Sequence, residues 1–172
     1  MAATAAARAA VTRPPGPSPW RVVVQGAAAL AVSMGIGRFA YTPILPLMHA
    51  QAGLSSSAGA WLATANYAGY LGGALAGILV PPLLRSTLVM RTAIVVLLAT
   101  LALMPVSRDD AAWLGLRLVA GASTALIFMV AASALLSQLR DHGPHLTGWA
   151  FGGVGAGVAL SGGLVLVVRL AS

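Results

Sequence analysis

The sequence predicts an all-α membrane protein with about five transmembrane helices, and three observations carry that expectation. Of its 172 residues, 59% are hydrophobic and only 8% charged, against about a quarter charged in an average soluble domain. From residue 22 onward, apolar residues run in five blocks, each long enough at about 1.5 Å per residue to cross a hydrocarbon core of about 30 Å. The blocks are continuously apolar. Barrel strands instead alternate over about 10 residues, so helices are the better fit.

Residues 1–21 read as a disordered cytoplasmic tail. Arg8 interrupts an alanine run, and Pro14, Pro15, Pro17 and Pro19 follow it, so the pattern of a cleavable secretory signal is missing. The transmembrane bundle then spans residues 22–172. Its helices are expected over Val22 to Met48, Ala58 to Leu84, Thr87 to Val106, Ala112 to Leu139 and Thr147 to Leu170. Between the first two, the linker from His49 to Ser57 carries Gly53 and serines that can cap the second helix. Ser107, Arg108, Asp109 and Asp110 do the same for the fourth. A polar turn from Arg140 to His145 precedes the fifth. Because the linkers are short, successive helices are expected to pack as antiparallel neighbours.

The formal charge is +7, and all ten cations are arginine; lysine and glutamate are absent. Nucleic-acid binders gather cations on a solvated patch, whereas these arginines lie scattered at the edges of apolar runs, so no nucleic-acid partner is expected. Charge sets orientation instead. With the N-terminus inside, the inner side holds six (Arg8, Arg13, Arg21, Arg85, Arg91 and Arg140) and the outer side two, Arg108 and Arg169. Loops rich in arginine stay cytoplasmic, which predicts a multi-pass protein of a bacterial inner membrane with its N-terminus in the cytoplasm.

Two arginines fall inside the expected helices. Arg38 lies about 16 residues into the first block, where an ionised side chain costs on the order of 3 kcal/mol and so faces a cavity or a partner. Gly35, Gly37 and Pro43 weaken the helix around it, the local pattern of a broken or kinked binding helix. Arg38 is a candidate for substrate or proton coupling, with Tyr41 and Thr42 beside it. Arg117, in the fourth block, is a second candidate; the bland reading for both is snorkelling. None of the three acids, Asp109, Asp110 and Asp141, lies in an expected span. The partners of the two arginines are therefore a substrate, backbone carbonyls or groups outside these residues.

Asn66, Tyr67 and Tyr70 share one face of the second helix, where they can bind substrate or glue helices together. Gly69, Gly73 and Gly77 repeat every four residues, as do Gly153, Gly157 and Ser161, and such rows let backbones pack closely. His142 and His145 have no third ligand nearby, so no metal site is expected, and with no cysteine, thiolate chemistry is excluded. Trp20, Trp113 and Trp149 sit near segment ends, where aromatic belts form. Nothing resembles a nucleophile elbow, phosphate loop or carboxylate pair. Neither an enzyme nor a cofactor is expected.

The run Met34-Gly-Ile-Gly-Arg-Phe-Ala-Tyr-Thr-Pro-Ile-Leu-Pro-Leu-Met48 closely resembles the opening helix of YbfB/YjiJ-type transporters of the major facilitator superfamily. The resemblance continues through Asn66-Tyr-Ala-Gly-Tyr-Leu-Gly-Gly73 and Gly148-Trp-Ala-Phe-Gly-Gly-Val-Gly-Ala-Gly157. It implies a twelve-helix carrier of two six-helix halves that works by alternating access, commonly driven by protons. Arg117 with Gly121 is similar to the superfamily's fourth-helix Arg-x-x-x-Gly motif, associated with proton coupling. Two features depart from the pattern: the last block lacks the usual Gly-Pro pair, and Gly77-Ile-Leu-Val-Pro81-Pro82 stands where a Gly-x-x-x-Asp-Arg loop is usual.

The chain thus reads as the N-terminal portion of a secondary active transporter, cut short before the sixth helix. Its expected partners are the lipid bilayer, a small substrate, for which two intramembrane arginines and no acid suggest an anion, the proton and the missing second half. The alternative is a small non-transporting membrane subunit or degenerate gene product.

Overall fold

The computed structural model describes residues 18–39, 55–107 and 109–171. Helix α1, Pro19–Leu30, runs directly into a π-helical stretch, Ala31–Arg38. It is followed by α2, Ser56–Leu79; a short 3₁₀ helix, Pro81–Arg85; α3, Thr87–Leu103; α4, Asp110–Gln138; and α5, Pro144–Ala171. There is no strand among the described residues. Three stretches, Pro19–Arg38, Asp110–Gln138 and Pro144–Val168, are long and apolar enough to cross a membrane, and α3 is apolar but shorter, at 17 residues. Helix α2 has 24 residues, a length of about 36 Å; Asn66, its tyrosines and its glycines dilute its apolar character.

Polar caps start four of the helices, at the expected linkers for α2 and α4 and at Ser18 and Ser86 for α1 and α3. The side chains of Ser18, Ser55, Ser86 and Asp109 accept hydrogen bonds from the backbone N–H of Arg21, Ala58, Val89 and Ala112 respectively. Each satisfies a donor that a helix start leaves orphaned. The expected second helix, 58–84, stops early at Leu79. Pro81 and Pro82 have no N–H to continue the ladder, and the chain tightens into the 3₁₀ turn instead. The third ends at Leu103 rather than 106. The first is helical from Pro19 to Arg38; residues 40–48 of its expected span, with Tyr41 and Thr42, and His49 of the linker lie outside the described residues.

Partner choice departs from the expectation of successive antiparallel neighbours. The most extensive packing joins α2 to α4, and α5 packs on α1 and its π-helical extension. Helix α4 also packs against α3 and α1, while α4 and α5 barely touch. The paired residues rise together: Gly69 faces Leu118 and Gly73 faces Ala122, as Ala27 faces Gly153 and Ala31 faces Gly157. Both dominant pairs are therefore parallel. The reason is that lipid tails are as apolar as leucine, so helices associate where small residues let backbones approach, whatever the loop length between them.

At these seams there is no room for a side chain. A Cβ on Gly69 would collide with the Leu118 carbonyl oxygen, one on Gly121 with the Asn66 carbonyl, and one on Gly73 would sit 2.5 Å from the Ala122 carbonyl. Between α1 and α5, a Cβ on Gly35 would lie 2.5 Å from the Gly157 Cα, and one on Gly153 would meet the Ala27 carbonyl. Gly77 packs instead on the Met129 side chain. The third member of the α5 row, Ser161, donates its hydroxyl to the Val158 carbonyl.

Three apolar clusters fill the remainder. Val22, Val23 and Leu30 of α1 meet Ala131, Leu135 and Leu139, with Leu146 and Ala150 of α5 closing one side. Ala93 and Leu97 of α3 meet Ala120 and Ile127. Leu62 meets Trp113. Trp113 therefore departs from the belt expectation: it is buried, and its indole N–H donates to the Met104 carbonyl at 2.8 Å. Trp20 and Trp149 are both exposed.

Candidate functional site

The site begins with the unusual end of α1. Over Ala31–Arg38 the hydrogen-bond ladder widens, and the Phe39 N–H reaches back five residues to the Met34 carbonyl at 3.2 Å. Glycine disfavours the regular α form, and Gly35 and Gly37 occupy this segment. Both also serve packing, since a Cβ on Gly37 would lie 2.9 Å from side-chain carbons of Leu97 and Thr124. Wide turns of this kind occur frequently at functional sites. Arg38 is the last residue of the stretch.

The Arg38 guanidinium lies over two aromatic rings of α2, its Cζ 4.0 Å from the Tyr70 ring centroid and 4.8 Å from that of Tyr67. Both distances fall within the range, about 6 Å, at which a cation is attracted to a ring face. Its Nε is enclosed and has no hydrogen-bond partner among the described residues. Tyr67 remains 58% exposed despite the contact.

Asn66 faces away from this group. It is buried against α4, and its side-chain Nδ2 donates to the Arg117 carbonyl at 3.0 Å. The shared face expected for Asn66, Tyr67 and Tyr70 is thus divided: the amide ties α2 to α4, and the tyrosines turn to α1. Arg117 is 3% exposed, so it does not snorkel. One turn further on, Gly121 lies against the backbone of Asn66 and Tyr70, and the buried Thr124 hydroxyl donates to the Gly121 carbonyl at 2.8 Å. Arg38, Tyr67 and Tyr70 are brought together; Asn66 and Arg117 form the seam behind them; Tyr41 and Thr42 lie outside the described residues.

The pairing of Arg38 with ring faces is what sequence reasoning missed. The signal for it was present in two tyrosines three residues apart on one helix, together with the lack of any acid at membrane depth. Elsewhere, a cavity of about 900 Å³ opens between the start of α1, the 3₁₀ turn and the end of α4, lined in part by Gln25, Arg85, Met90 and Gln138. None of the described candidate residues lines it. His142 and His145 are exposed, and no group of metal-binding side chains occurs among the described residues.

Residues 30–172 match the family described as uncharacterised MFS-type transporter YbfB. The chain belongs to this family. No curated protein and no solved structure matches it. Membership in this MFS-type family, with the apolar helices already described, makes the chain part of a multi-pass membrane protein of transporter type. The π-helical stretch with Arg38, the tyrosines of α2 and the Arg117–Gly121 segment all fall inside the matched residues.

Proposed function

We propose that the chain forms the N-terminal portion of a secondary active transporter that moves a small anionic solute across a bacterial inner membrane by alternating access, with its N-terminus in the cytoplasm. The observation that carries this reading is the Arg38 cation, held inside a helical bundle against ring faces in a chain whose three acids all lie outside the expected spans. A cation at membrane depth is a functional site by default. With no internal carboxylate to neutralise it, an anionic solute is its natural partner. Tyr41 and Thr42, adjacent in sequence, join Arg38 as solute-facing candidates. Arg117, buried in the seam between α2 and α4, takes part in proton coupling. The second half of the carrier closes the site from the other side, since central sites in this architecture form between halves.

The test uses the full-length gene product in proteoliposomes, with uptake of radiolabelled acetate, benzoate, succinate and phosphate. Loss of charge-assisted hydrogen bonds costs about 1.5–3 kcal/mol, so Arg38→Ala is expected to lower uptake of the transported anion roughly 10- to 150-fold. Unchanged uptake in that variant would sink the anion reading.

A further inference from the structure

We infer that Tyr67 and Tyr70 are positioning residues for Arg38: their ring faces hold the guanidinium in place of a carboxylate and leave its hydrogen-bonding edge uncommitted to any internal anion. The inference rests on the proposed function in one respect, that Arg38 is the group that meets the solute.

Four observations carry it. The guanidinium carbon lies 4.0 and 4.8 Å from the two ring centroids, and a planar guanidinium stacks on aromatic faces where an ammonium cannot. The rings stand three residues apart on α2, the spacing that places side chains on one helix face. Neither tyrosine belongs to an apolar cluster among the described residues, and Tyr67 is 58% exposed, so the core packing described does not account for its position. Finally, the platform is fixed from behind: the Tyr70 backbone lies against Gly121, and neighbouring Asn66 is bonded to the Arg117 carbonyl at 3.0 Å.

The chemistry explains why rings would stand where an acid is the commoner partner. A carboxylate grips arginine through two parallel N–H···O bonds, the same bonds an anionic solute needs. It would compete with that solute at every cycle. A ring quadrupole attracts the cation through its face and accepts no bond at the edge. The cation is thereby held at depth without being neutralised.

The test uses the full-length protein in lipid nanodiscs, labelled with ¹⁵Nε-arginine. The Arg38 Nε–H resonance is identified by its loss in Arg38→Lys. Stacking on two rings displaces this resonance upfield, so Tyr70→Phe, which keeps the ring, should leave it in place. Tyr70→Leu should move it downfield, and the double variant Tyr67→Leu/Tyr70→Leu further still. Binding of whichever of acetate, benzoate, succinate and phosphate is taken up should weaken about 3- to 30-fold in the double variant and recover with phenylalanine at both positions. If the double leucine variant leaves the resonance unmoved, the inference is overturned. The Arg38→Ala uptake experiment judges the function separately: uptake retained there, with the resonance moved by leucine, overturns the anion reading and leaves the ring contact standing.

Discussion

Replacing Gly69 by alanine adds one carbon at the tightest point between α2 and α4. That carbon falls on the Leu118 carbonyl oxygen, which is main chain and cannot rotate aside. The helices must part until ordinary contact is restored. Parting also loosens Gly73 from the Ala122 carbonyl and stretches the 3.0 Å bond from Asn66 to Arg117. Overpacking of this kind costs about 1–3 kcal/mol, partly offset by alanine's better helix propensity, at most about 1 kcal/mol. The weakened amide bond adds about 0.6 kcal/mol or more, so the net destabilisation is about 1–3 kcal/mol, a roughly 5- to 150-fold shift of the folding equilibrium. Gly72 is the internal control, because a Cβ there meets nothing within 4 Å; Gly72→Ala should be neutral or stabilising. Reversible unfolding in mixed micelles, followed by far-UV circular dichroism against the mole fraction of denaturing detergent, measures both variants. A midpoint for Gly69→Ala at or above that of Gly72→Ala would refute the backbone-contact account.

Two further outcomes follow from the same geometry. Asn66→Leu removes the donor to the Arg117 carbonyl and should cost about 0.6–2 kcal/mol, read as a lower unfolding midpoint, while Tyr67→Phe in the same assay should change little. Trp113→Phe deletes the indole bond to the Met104 carbonyl and should lower stability by about 1 kcal/mol, with loss of the blue-shifted tryptophan emission expected of a buried ring.

Helix existence was legible in the sequence because it is a local property. Long apolar runs and the capping residues Ser55 and Asp109 mark the starts without reference to any partner. The early stop of α2 was also local, and the pair Pro81-Pro82 could have been read as its end. What could not be read was which faces meet. Short loops bring helix ends together, but they do not determine that Gly69 should lie on Leu118, 49 positions along the chain. The polar residues at the site divide the same way. That Arg38 needs a partner follows from its depth; that the partner is a pair of ring faces depends on how α2 is rotated by its contact with α4. Asn66 and Tyr67 are adjacent in sequence, and one turned out to bond the neighbouring helix while the other borders the cation.

The central place of α4 has a kinetic consequence. The apolar face of α1, the glycine face of α2 and the buried stripe of α3 all find their complement on this one helix. Synthesis from the N-terminus delivers α1, α2 and α3 before the helix they fit has been made. Their native contacts are non-local, and closing long loops precedes any gain from such contacts. The contacts of α1, α2 and α3 with α4 therefore form only once α4 has been made, and the packing of α5 on α1 follows later still. Until then the exposed glycine faces of α2 offer the same close approach to any passing helix, and it is in this interval that the nascent chain is most open to pairing with the wrong one.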